Sequence, residues 1–151
     1  MKTWPLFLFL TLSAIPFVHL SSHAVEVVDI KAKPMKIELK AGGKTVSATM
    51  RDSRTAQEFL ALLPLTLDLS DYAGAEKISD LPKKLTQEGA PSGSDASAGD
   101  IAYYAPWGNL AIFYKNAPYA EGLIIIGRID TGLHMLTELK QAKVVVGRAE
   151  P

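Results

Sequence analysis

The sequence predicts a mostly β domain, a barrel or sandwich flanked by two or three short helices. Three observations carry that reading. Several short segments alternate apolar and polar residues with a period of two. Glycine-containing turns separate them, and the helical patterns between are only two or three turns long. Residues 123–129 (LIIIGRI) form a nearly unbroken β-branched run, as expected of a central strand covered on both faces. Gly127 in that run marks a bulge or a close backbone approach.

The first residues stand apart from this pattern. Lys2 gives a basic start, residues 4–20 are apolar and uncharged, and Ser22-His23-Ala24 places small residues where a signal peptidase reads. The run is short for a membrane span, which needs about 20 apolar residues, and Pro16 interrupts it. The expectation is a signal peptide over 1–24 with cleavage after Ala24; an uncleaved anchor is the competing reading. Export to the bacterial periplasm or beyond follows, with no stable membrane insertion once the leader is removed. Of 151 residues, 127 would then remain as a single domain over 25–151.

Charge and cysteine content narrow the function classes. The chain has 16 basic and 16 acidic residues, and Lys2 is the only charged one in the leader, leaving 15 against 16. That balance argues against nucleic acid or an anionic membrane as main partner, since both select basic faces. Cysteine is absent, so disulfides, a lipidated cysteine, a thiolate metal site and a cysteine nucleophile are all excluded. Only His134 lies beyond the leader, and no cofactor or metal is expected.

The elements follow in order. Residues 25–31 form either a further strand or a trailing end. Met35 to Leu39 alternates, Gly42-Gly43 turns, and Lys44 to Met50 resumes the alternation as a hairpin. Thr55-Ala56-Gln57-Glu58 has the form of a capping box with Thr55 as N-cap. Phe59, Leu60, Leu62 and Leu63 then give a helical apolar stripe that ends at Pro64. Leu65 to Leu69 is a strand, and Asp71 to Gly74 a turn. Glu76 to Leu85 reads as a strand end plus an irregular basic turn, and Thr86 to Gly99 as a long flexible loop. Residues 131–139 suit a short helix, and Lys143 to Gly147 closes the fold as a strand.

The aromatic stretch at 99–116 (GDIAYYAPWGNLAIFYKN) is read as a hairpin. Pro106, Trp107 and Gly108 fit a three-residue loop with Gly108 in the left-handed position. That loop places Tyr104 opposite Leu110, Tyr103 opposite Ala111, Ala102 opposite Ile112 and Ile101 opposite Phe113. Both faces are apolar, so one is expected against the barrel interior and the other under a helix. A two-residue Trp107-Gly108 loop would slip the register and change every pair.

Residues 59–85 (FLALLPLTLDLSDYAGAEKISDLPKKL), together with 99–116 and 122–129, resemble the bacterial cyclophilin-like domain family. The resemblance runs from about residue 35 to the C-terminus. It implies a closed or nearly closed β-barrel with short flanking helices. It also implies small exported or cytoplasmic proteins of undefined activity, some beside flavodoxin-like domains. The Phe-His-Arg-Val and Gln-Gly-Gly-Asp signatures of true prolyl isomerases, and their proline-pocket histidine, are absent here. No catalytic residue therefore carries over.

The residues singled out as ligand-facing are Arg51, Tyr104, Trp107, Asn109 and Arg128. Trp107, beside Asn109 at a loop tip, offers a large aromatic contact for a small molecule or peptide, or else folds back over the barrel mouth. Arg51 or Arg128 near Tyr104 would polarise a prolyl amide, though pairing with Glu76 or Asp130 is the simpler role. Asp68, Asp71, Glu76 and Asp100 read as turn or surface carboxylates rather than a metal cluster, and Glu76-Lys77 as ordinary surface charge. Two functions stand: a noncatalytic binding domain using the barrel mouth near Trp107 and Arg51, or a degenerate prolyl isomerase for exported proteins. A flavin-linked role rests on the family's neighbours alone.

Overall fold

The alternation that begins at Met35 closes into a cylinder. In a computed structural model, which describes residues 34–150, eight antiparallel strands form a closed barrel. Its strands are β1 (Met35–Ala41), β2 (Lys44–Met50), β3 (Leu65–Tyr72), β4 (Glu76–Asp80), β6 (Asp100–Tyr104), β7 (Asn109–Phe113), β9 (Leu123–Thr131) and β10 (Gln141–Arg148). They neighbour one another in the order β1-β10-β3-β4-β7-β6-β9-β2, and β2 returns to β1. A separate two-stranded ribbon joins β5 (Gly93–Ala96) to β8 (Ala117–Glu121). Two helices, α1 (Arg54–Ala61) and α2 (Leu133–Thr137), complete the described elements. The expected leader and the segment 25–31 lie outside the described residues.

The barrel interior is packed with side chains. Ile37, Leu39, Val46, Leu67, Leu69, Ile101, Tyr103, Leu110, Ile112, Ile124, Ile126, Val144 and Val146 share one buried cluster. Each large aliphatic side chain taken out of water there contributes roughly 1.5–3 kcal/mol. Helix α1 adds Ala56, Phe59 and Leu60 to the same cluster. Eight residues are too few for a helix to persist alone, so packing holds it. Its N-cap is Ser53, whose hydroxyl accepts from Ala56 N–H at 3.2 Å, rather than the expected Thr55. Thr55 is buried and donates to Thr86 O at 2.7 Å, while Glu58 accepts from Thr86 N–H at 2.8 Å. The two supposed capping residues thus fasten the chain near Leu85, whose own N–H donates to the Tyr103 hydroxyl.

Strand β9 behaves as its composition demands. Ile124 and Ile126 point into the barrel core, and Leu123 and Ile125 into a second cluster outside it. The β6–β9 register shifts where Ile101 pairs Gly127 and Ala102 pairs Ile125. A Cβ on Gly127 would lie 2.7 Å from Met50 Sδ and 3.0 Å from Thr49 O. Gly127 therefore serves the close backbone approach that its place in the strand suggested.

The 99–116 hairpin forms, with a different register. Tyr104 pairs Asn109, Tyr103 pairs Leu110, Ala102 pairs Ala111 and Ile101 pairs Ile112. The connection has four residues, Ala105–Gly108, and Gly108 N–H donates to Tyr104 O at 2.8 Å. Ala105 is drawn into the loop because its N–H donates to Gly122 O at 2.9 Å. This one-residue slip turns every β7 side chain over. Leu110 and Ile112 join Ile101 and Tyr103 inside the barrel; Ala111 and Phe113 join Ala102 and Tyr104 outside.

The outer face is covered by the β5–β8 ribbon rather than by a helix. Ala96, Ala117 and Ala120 pack there on Ala102, Ala111, Phe113, Leu123 and Ile125. Residues 93–96, expected within a loop, are thus strand. Gly93 lets the ribbon close, since a Cβ there would sit 2.3 Å from Ala120 O. Two other expectations change nearby. Asp71 lies in β3, paired with Lys77, and the turn begins after Tyr72. Lys77 is buried at 2 % exposure with the barrel-facing residues of its strand, not on the surface.

Candidate functional site

The ribbon leaves a cavity where it departs from the barrel wall. Strands β4, β7, β6 and β9 lie side by side and present Glu76, Asn109, Ala111, Phe113, Tyr104 and Leu123 on one outer face. Pro118, Tyr119 and Ala120 of β8 form one bank; Tyr72 and Trp107 form another. The enclosed space is about 400 Å³, within the range of small-molecule sites. Its floor is apolar, formed by Ala111, Phe113 and Leu123.

Trp107 stands over this space. It is 55 % exposed at the hairpin tip, with its ring edge-on to Tyr104 at 5.4 Å and 79° and to Tyr72 at 5.5 Å and 88°. Such T-shaped pairs are the favoured geometry for aromatic quadrupoles and hold the indole in place. Trp107 thus meets each of the two tyrosine rings near a right angle, and all three line the space. Ala105 N–H to Gly122 O and Gly122 N–H to Ser92 O, at 2.9 and 2.7 Å, tie the hairpin to the segment that leads into β5.

Polar groups in the cavity are few. Asn109 is 2 % exposed, and among the described residues its Oδ1 has no hydrogen-bond partner. An orphaned buried acceptor costs about 1–3 kcal/mol, and this oxygen is closed off from the open space as well. Among the described residues Glu76 is the only charged one lining the space. Burial pushes its carboxyl up from the ordinary value, because desolvation penalises the charged form.

A second polar group lies at the edge of this region. Lys77 Nζ donates to Asp71 Oδ1 at 2.8 Å and to Leu139 O, and lies 5.7 Å from the Tyr114 ring centroid. The Tyr114 hydroxyl donates to the same Asp71 oxygen at 2.7 Å. These two hydrogen bonds hold the Asp71 carboxyl below its ordinary value. The bond to Asp71 and burial push the Tyr114 hydroxyl up to about 12. None of Asp71, Lys77 and Tyr114 lines the cavity. Among the described residues no three His, Asp or Glu side chains gather as a metal site.

The structure brings together three of the five residues singled out from the sequence. Tyr104, Trp107 and Asn109 share the cavity. Arg51 does not line it; its N–H donates to Ile126 O. Arg128 is tied to Asp100 Oδ1 at 2.7 Å and to Ala98 O at 3.0 Å, at the end of β6 away from Tyr104. Its partner is Asp100, not Glu76 or Asp130. The cavity also lies on the outer face of the barrel wall, not at the barrel mouth. Tyr72, Glu76, Phe113 and Tyr119 were missed as liners. The alternation Glu76-Lys77-Ile78 left two choices of face, and only pairing with β7 decides between them.

Comparison with known proteins follows the fold. The family model described as the cyclophilin-like family matches residues 39–147. The solution structure of a hypothetical protein from Archaeoglobus fulgidus is similar, with a TM-score of 0.57 and 19 % identity. That match covers 77 % of this chain and 95 % of the archaeal one, and it shows likeness of fold. No curated protein matches the chain. A family match over most of the chain, on a closed eight-stranded barrel, makes this protein a member of the cyclophilin-like family.

Proposed function

We propose that this protein is an exported, noncatalytic binding domain whose ligand, a small molecule or the side chain of a peptide, occupies the cavity beneath Trp107. The observation that carries this reading is an apolar, aromatic-lined space of about 400 Å³ in which, among the described residues, Glu76 is the one charged side chain. Few convergent polar groups on an apolar lining are the usual composition of a ligand site. Export is supported by Lys2, the uncharged run over 4–20 and the Ser22-His23-Ala24 site.

The isomerase alternative needs a donor such as arginine held over an apolar proline slot. Neither Arg51 nor Arg128 lines the cavity, and Arg128 is committed to Asp100 and Ala98. A screen of small molecules and short peptides against the full chain carrying Trp4→Phe tests the reading, since Trp107 is then the sole tryptophan. The expected result is saturable change of Trp107 emission that Ala111→Phe, which fills the floor without adding a second indole, removes. Acceleration of a proline-limited refolding reaction, abolished by Arg51→Ala, would establish the isomerase instead.

A further inference from the structure

We infer that the cavity selects an organic ammonium ion: an N–H-bearing cation on an apolar body. This rests on the cavity being the binding site and names the class of ligand it takes. Three features of the lining converge on that chemistry.

The first is charge. Among the described residues Glu76 is the one carboxylate in the lining, and no Lys, Arg or His accompanies it. Among the described residues it forms no ion pair, although Lys77 is its neighbour in sequence, because Lys77 turns to the opposite face and bonds Asp71 and Leu139 O. A half-buried carboxylate without a counter-charge favours a cationic occupant and repels an anionic one. Burial already raises the Glu76 carboxyl, and an ammonium beside it would bring it down again.

The second is the aromatic arrangement. Tyr72 and Tyr104 each meet Trp107 near a right angle, 5.4–5.5 Å between centroids. All three rings line the cavity, and an aromatic face turned to a cation attracts it through the ring quadrupole.

The third is hydrogen bonding. An ammonium with N–H groups can donate to the Glu76 carboxylate in the lining, where a quaternary ammonium cannot. The apolar floor of Ala111, Phe113 and Leu123 receives the hydrocarbon body. A free amine and a lysine side chain share this chemistry.

The test is calorimetry together with Trp107 emission, on the full chain carrying Trp4→Phe. The probes are 2-phenylethylamine, its trimethylammonium analogue, N-acetyl-lysine methylamide, 2-phenylethanol and 3-phenylpropionate. The primary amine is expected to bind about tenfold or more tighter than the alcohol and the acid, the scale of one charge-assisted hydrogen bond. The trimethylammonium analogue should fall between, and Glu76→Gln should bring amine and alcohol within about threefold. Glu76→Gln removes a costly buried charge, so it is expected to fold. The lysine derivative binding as tightly as the amine would assign the ligand to a peptide; weaker binding, to a free amine. Equal or tighter binding of the acid or alcohol would overturn the inference and leave the cavity a binding site. A preference untouched by Glu76→Gln, or no binding by any ammonium, would also overturn it. Failure of the cavity itself would show separately, as an empty result in the broader screen.

Discussion

Lys77 and Asp71 face each other across the β3–β4 pairing, and the lysine ammonium, though 2 % exposed as a residue, donates to Asp71 Oδ1 at 2.8 Å. The same ammonium donates to Leu139 O, just beyond α2. A barrel-facing lysine thus joins the strand pair to the connection that precedes β10. Its aliphatic stem fills space while its head reaches polar partners at the end of the barrel.

Lys77→Ala is expected to cost about 2–4 kcal/mol, from the lost stem and the carbonyl left without a donor. Lys77→Met, which keeps the stem, should cost less. Urea unfolding with an unchanged slope would check both; a loss for Lys77→Ala within about 0.5 kcal/mol, the usual range for surface substitutions, would count against a structural role.

Alkaline titration should show Tyr114 losing its proton late. Tyr114 is pushed up to about 12 against an ordinary 10.0. Between those values the folded chain keeps a proton that the unfolded chain has lost, so this group's contribution is complete below pH 10 and declines toward about 12. Asp71 works in the other direction: its lowered carboxyl contributes above 3.8, and that contribution is lost as the pH falls. In Asp71→Asn the Tyr114 phase in the tyrosinate absorbance should move down from about 12 toward 10.0. Persistence of that phase would place its cause elsewhere.

Gly93→Ala addresses the ribbon. A Cβ there meets Ala120 O at 2.3 Å and Tyr119 at 2.7 Å, so β5 has to move off β8. Because the ribbon is a separate sheet, hydrogen exchange should quicken over 93–96 and 117–121 while the barrel amides stay protected. Uniform loss of protection would show that the ribbon and barrel unfold together.

Asn109→Val removes the orphaned acceptor and places a β-branched side chain in a strand. Stability should rise by roughly 1 kcal/mol, given a cost of about 1–3 kcal/mol for an unpartnered buried group. A fall in melting temperature would mean that Asn109 already has a partner that holds the fold.

Much of the fold was legible because local signals agreed with it. The β-branched run of β9, its glycine at the close approach, and the alternation of β1 to β3 all needed nothing beyond their own residues. The 99–116 register was not legible, because Ala105 enters the loop through a bond to Gly122, a partner that no local pattern reveals. The ribbon was missed for a related reason: Gly93 to Ala96 is a polar, small-residue strand whose only pairing is with β8. At the site, Trp107 and Asn109 stood out as unusual residues at a hairpin end. Glu76 did not, since its exposure depends on which face of β4 meets the barrel. The two arginines were chosen for chemistry alone, and the fold separates both from the cavity.

Mapping of a bound ligand by amide and side-chain chemical shifts tests the central claim most directly. With 2-phenylethylamine at saturation, perturbations should concentrate on Tyr72, Glu76, Tyr104, Trp107, Ala111 and Tyr119. Perturbations centred instead on Arg51, Arg128 or the barrel interior at Ile37 and Val144, with Trp107 and Glu76 unmoved, would contradict the assignment of this cavity as the binding site.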